Sequence, residues 1–73
     1  MTKNIISSIQ WITENKEKIS CDEKIKVLET NLIEFNDLLT DIYDEAILIG
    51  VSKKQIKDVL LNIVKKIESN LKK

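Results

Sequence analysis

The run Ile25-Lys26-Val27-Leu28-Glu29-Thr30-Asn31-Leu32-Ile33-Glu34-Phe35-Asn36-Asp37-Leu38-Leu39-Thr40-Asp41-Ile42-Tyr43-Asp44-Glu45-Ala46-Ile47-Leu48-Ile49 carries an apolar repeat without a break. Ile25, Leu28, Leu32, Phe35, Leu39, Ile42, Ala46 and Ile49 are spaced 3, 4, 3, 4, 3, 4, 3. That is the heptad seam of an α-helix, because positions three and four apart return to the same face. It predicts a helix over 22–49, roughly 40 Å long at about 1.5 Å per residue. Ser20 and Glu23 have the S-x-x-E spacing of a capping box, and Asp22 and Glu23 suit the positive end of the helix dipole.

Working outward, Gly50 is the only glycine of the 73 residues, and there is no proline. A glycine just past the last periodic residue can adopt the left-handed conformation that closes a helix. Ser52 and Gln55 then form a second capping box, so a new helix starts almost at once. Its seam is Ile56, Leu60, Ile63, Ile67 and Leu71, widened by Val59 and Val64. Upstream, Ile5, Ile9 and Ile12 make a shorter stripe, flanked by Ile6 and Trp11, and the polar residues after Ile12 are expected to fray or lie exposed. The expected fold is all-α: three helices at about 3–18, 22–49 and 52–72, in one domain of residues 1–73. Residues 1–21 form an N-terminal helix and turn, and residues 22–73 a long helical hairpin. Around Ala46-Ile47-Leu48-Ile49 the helix is apolar nearly all round, which calls for cover on more than one side. A dimeric helical bundle is therefore expected.

Charge sharpens this. Residues 22–45 hold eight acids against Lys24 and Lys26, and residues 53–73 hold seven lysines against Asp58 and Glu68. An acidic second helix beside a lysine-rich third is the expected arrangement, each surface pair contributing about 0–1 kcal/mol. Arginine and histidine are absent and Cys21 is the only cysteine. One thiol makes neither an internal disulfide nor a zinc site, and one glycine cannot build a phosphate loop. Glu34, Asp37 and Asp41 are spaced like a helical carboxylate metal site but fall on the polar face, without the histidine such sites usually include. No catalytic, cofactor-binding or metal-ligating residue is assigned, and the protein is expected not to be an enzyme. Residues 1–10 lack the apolar core of a secretory signal, and no stretch is apolar for the roughly 18 residues of a membrane span. A cytoplasmic location is expected, with no membrane partner.

The corner at Gly50 admits two functional readings. In a DNA-binding helix-turn-helix, Ala46, Gly50, Ile56 and Val59 would take the small, turn and buried positions, and Lys53, Lys54 and Lys57 would meet phosphates. Against it, the preceding helix is several turns too long, and the following one continues its apolar stripe instead of leaving a face for the groove. Nucleic acid is the disfavoured partner.

The other reading is a docking hairpin. Gly50-Val51-Ser52-Lys53-Lys54-Gln55-Ile56-Lys57-Asp58-Val59-Leu60 resembles the turn and second helix of the Sin-type domain, and Leu39, Ile42, Tyr43, Glu45 and Ala46 fit its first helix. The resemblance covers residues 39–60. That domain is shared by small anti-repressors and by the multimerisation tail of the repressors they inhibit, in spore-forming bacteria. The resemblance implies a hairpin that dimerises hairpin to hairpin and exchanges into a repressor's own dimer. It implies an interface of Ile42, Tyr43, Ala46, Ile49, Val51, Ile56, Val59, Leu60 and Ile63, joined by Leu39 of the matched first helix and by Ile47 and Leu48 of the apolar helix end. The same residues would also serve as the core of a three-helix bundle. The expected function is a non-enzymatic protein-protein interaction module: a small anti-repressor-like regulator or antagonist, homodimeric alone, that packs on a helical regulatory protein. Two alternatives stand beside it. One is the small DNA-binding protein. The other is a phage- or plasmid-encoded inhibitor of a host enzyme or defence complex, acting through the acidic face of residues 34–45.

Overall fold

A computed structural model describes residues 2–71, with side chains from residue 5 onward. Among the described residues three helices follow one another: α1 (Thr2–Ser7), α2 (Asp22–Leu48) and α3 (Lys53–Lys65). The protein is all-α, with one isolated antiparallel β-bridge among the described residues, between Ile12 and Lys18. Its backbone divides into two compact units, Met1–Leu39 and Thr40–Lys73, and α2 runs through the boundary. Among the described residues, no helix is long and apolar enough to cross a membrane.

The long helix matches its expected bounds to within one residue. Its first backbone bond runs from the Ile25 N–H to the Cys21 carbonyl, 3.1 Å, so Cys21 holds the N-cap position and Ser20 lies one residue too early to cap. The covered face differs from the apolar seam. Ile25, Leu32 and Leu39 are half-buried, but so are Glu29, Asn36 and Tyr43, while Leu28, Phe35 and Ile42 are exposed. Alternate seam positions are therefore open, and the residues that follow them are covered instead.

In the first unit the expected helix over 3–18 is corrected to Thr2–Ser7. It tapers through Ser8, whose N–H and hydroxyl both donate to the Ile5 carbonyl, at 3.3 and 2.9 Å. Serine competes with the helical ladder in this way. The chain then doubles back. The Lys16 N–H donates to the Thr13 carbonyl (2.9 Å), the Thr13 N–H to Glu17 (2.7 Å), and the Ile19 N–H to Trp11 (3.0 Å). Thr13 Oγ1 accepts from the N–H groups of Asn15 and Glu17, and Lys16 sits at φ 65°. These local side-chain bonds offer the backbone an alternative to helix, and the aromatic and β-branched Trp11-Ile12-Thr13 suits extended chain. Trp11 is half-buried, and its indole N–H donates to the Glu29 carboxylate at 3.1 Å, docking the turn on α2. Ile6, 8% exposed, is the one buried side chain described in this unit.

The second unit contains the end of α2, the turn and α3. The Val51 N–H reaches the Ala46 carbonyl (2.9 Å) and the Gly50 N–H reaches Ile47 (3.1 Å), with Gly50 at φ 96°. This is the paired bonding of a Schellman motif. A methyl group on Gly50 would meet nothing within 4 Å, so the glycine is required for its backbone angle alone. Gly50→Ala should therefore cost about 1 kcal/mol, the strain of an L-residue at positive φ, read as a lower midpoint in urea with unchanged slope. Ser52 then caps α3, its Oγ accepting from the Gln55 N–H at 3.0 Å.

The third helix is shorter than its expected span of 52–72. After Lys65 it unwinds through i→i−3 bonds from Lys66 to Ile63 and from Ile67 to Val64, each 3.2 Å. Ser69 Oγ accepts from the Leu71 N–H, and Ile67 and Leu71 are exposed. A terminal apolar stripe with nothing packed on it does not hold a helix together. Residue 72, the expected end, lies outside the described residues.

Candidate functional site

The hairpin of the second unit folds back on itself at Gly50. Tyr43 and Lys57 each stand seven residues from that glycine, and the Lys57 ammonium lies 5.8 Å from the Tyr43 ring centre. A cation over an aromatic face contributes about 0.5–1 kcal/mol at an exposed site. Ala46, a small side chain, is buried at 8% exposure. Ile47, Val51, Ile56 and Leu60 are half-buried.

The twelve candidate interface residues thus fall into two sets. Tyr43, Ala46, Ile47, Val51, Ile56 and Leu60 are at least half-covered within the second unit, and Leu39 is half-buried in the first. The others are open: Leu48 at 86%, Ile49 at 78%, and Ile42, Val59 and Ile63 less so. Leu48 and Ile49 are the most exposed, and they stand at the end of the long helix and the start of the turn. The sequence signal for Leu48 and Ile49 is the apolar helix end. The sequence gives no comparable signal for the coverage of Glu29 and Asn36.

Electrostatics correct a second expectation. Among the described residues the only ion pair is Lys54–Asp58, 2.7 Å and within α3. It is exposed, so it contributes little, about 0.3–0.5 kcal/mol. The acids of α2 and the lysines of α3 do not pair with each other in the described residues. Of the three lysines suited to phosphate, Lys54 is paired with Asp58 and Lys57 faces Tyr43, which leaves Lys53. Cys21 is exposed and free. Among the described residues no group of three or more acids, cysteines or histidines is placed to hold a metal. No protein family, curated protein or solved structure matches the chain.

Proposed function

We propose that the protein is a non-enzymatic interaction module, a small anti-repressor-like regulator that pairs with itself and packs on a helical regulatory protein. The observation that carries this reading is the imbalance between core and open apolar surface. Each unit has one buried side chain among the described residues, Ile6 in the first and Ala46 in the second. Small domains with so little core gain stability by association.

Magnitudes favour a second copy as the default occupant. Ile42, Leu48, Ile49, Val59 and Ile63 together expose the equivalent of about three whole side chains. Covering them is worth roughly 5–9 kcal/mol. Association costs about 4–15 kcal/mol in lost freedom, so one such surface barely offsets it. A symmetric pair covers the surface twice, because the same patch is presented by both chains. A related helical hairpin would offer the same surface, which is how a regulator of this kind exchanges partners.

The test is capture from the native host on immobilised protein, comparing the natural sequence with Leu48→Asp/Ile49→Asp. The natural sequence should retain a helical regulatory protein that the variant releases. Retention of the same proteins by both would count against the reading.

A further inference from the structure

Helix α3 carries a face that the hairpin leaves open and that the proposed self-association does not use. At about 100° per residue, Lys53, Val64, Lys57, Leu61, Lys54 and Lys65 follow one another around its axis within a sector of about 120°. No other residue of α3 falls in that sector, so it holds lysines and aliphatics and no acid. All six are exposed, Leu61 at 57% and Val64 at 50%. Asp58 stands just beyond Lys65 and pairs with Lys54 at 2.7 Å, and Lys57 lies over the Tyr43 ring. Lys53 and Lys65 have no ion-pair partner among the described residues. Val59 and Ile63, the open residues of α3 assigned to self-association, lie about 140–180° from the middle of this face. The whole face belongs to one helix of the second unit.

We infer that this face receives an acidic amphipathic helix of another protein. Apolar residues of the partner at three- and four-residue spacing would cover Leu61 and Val64, as helix-in-groove recognition does. Glutamates or aspartates along its edges would meet the lysines, whose aliphatic stems add apolar area while their ammonium groups stay in water. Charge complementarity of this kind selects acidic partners and rejects basic ones. Other occupants fit less well. A helix that lies in a lipid surface uses a broad apolar face with large anchors, whereas this face offers two aliphatics and no aromatic. Nucleic acid would meet the lysines with phosphates and leave Leu61 and Val64 uncovered, and the chain has no arginine to read bases. A second copy set face to face here would bring lysine against lysine. The inference rests on the reading of the protein as an interaction module and names the chemistry of its partner.

The experiment uses the full chain and two synthetic helical peptides of three heptads with identical leucine seams, one edged with glutamate and the other with lysine. Fluorescence anisotropy of the labelled peptides should show the glutamate peptide binding about tenfold more tightly or better at about 50 mM salt, with the gap closing at about 500 mM. Lys53→Glu/Lys65→Glu leaves the Lys54–Asp58 pair and the Lys57–Tyr43 contact in place and should abolish the preference. Leu61→Ser should weaken both peptides, with Val64→Ser in its place if circular dichroism shows the first to lose helix. Equal affinities, no binding, or a preference that survives the double reversal would overturn the inference. So would tighter binding of a DNA duplex, or of vesicles of phosphatidylserine and phosphatidylcholine, that the double reversal removes. Sedimentation separates the two claims. Lys53→Glu/Lys65→Glu and Leu61→Ser should self-associate as the natural chain does, and a loss of mass in Leu61→Ser would assign the face to a second copy. Leu48→Asp/Ile49→Asp should keep the peptide preference, and its loss there would count against a separate face. A natural chain that stays monomeric yet keeps the preference would sink the self-pairing and support this face.

Discussion

Leu48→Asp/Ile49→Asp should abolish the proposed self-association while leaving the helices intact. Leu48 and Ile49 are 86% and 78% exposed, so a carboxylate at either site is already solvated in the single chain. The fold of one chain therefore loses little. In a symmetric pair the substitutions act twice, on four side chains. Each aliphatic withheld from cover forfeits roughly 1.5–2 kcal/mol, and the carboxylates add the cost of removing charge from water. A loss of several kcal/mol converts, at 1.4 kcal/mol per tenfold, to an association about a thousandfold weaker or more. Sedimentation equilibrium of natural and variant chains at matched concentration reads this directly. An unchanged mass would remove these two residues from the interface.

Ala46→Asp should have the opposite signature, with the fold failing first. Ala46 is the buried side chain of the hairpin, 8% exposed, and its carbonyl anchors the turn through the Val51 N–H at 2.9 Å. A carboxylate there is buried without a partner or forces α3 away from α2. Burying an unpaired charge costs about 3 kcal/mol or more, a large share of what a domain this small possesses. The expected result is loss of the cooperative thermal transition and of much of the helical circular dichroism at 25 °C. A variant that melts as the natural chain does would show that Ala46 is not packed. Together the two variants separate surface from core: one should change mass and not helicity, the other helicity before mass.

The long helix was legible in the sequence because its period runs unbroken from Ile25 to Ile49, and Gly50 was legible because the chain holds no other glycine. The covered face was not. A polar-apolar pattern assigns Leu28, Phe35 and Ile42 to the interior, yet Glu29, Asn36 and Tyr43 are the residues covered. Glu29 accepts a covered place because the Trp11 indole donates to it, and Tyr43 because Lys57 lies over its ring. Such pairings join residues far apart in the chain and leave no mark on local periodicity. The N-terminal error has a local cause. Ile5, Ile9 and Ile12 have helical spacing, but Thr13 and Ser8 supply side-chain bonds that end the helix and turn the chain. At the other end, Ile67 and Leu71 continue the period of α3 without any surface to pack on.

For the candidate site, the apolar end at Leu48 and Ile49 was visible as sequence, whereas the division of the twelve residues into a covered and an open set required the fold. Charge was informative in a different way from the one expected. Opposite signs on α2 and α3 suggested a paired hairpin, but the described residues hold only the Lys54–Asp58 pair within α3.

The most direct test of the account is the mass of the natural chain in solution between 1 and 100 µM, on the order of the range where a pair of this strength forms. Sedimentation equilibrium should give a weight-average mass that rises with concentration toward twice the 8.4 kDa of one chain. A mass that stays at 8.4 kDa across that range, with full helicity and a cooperative melt, would contradict it.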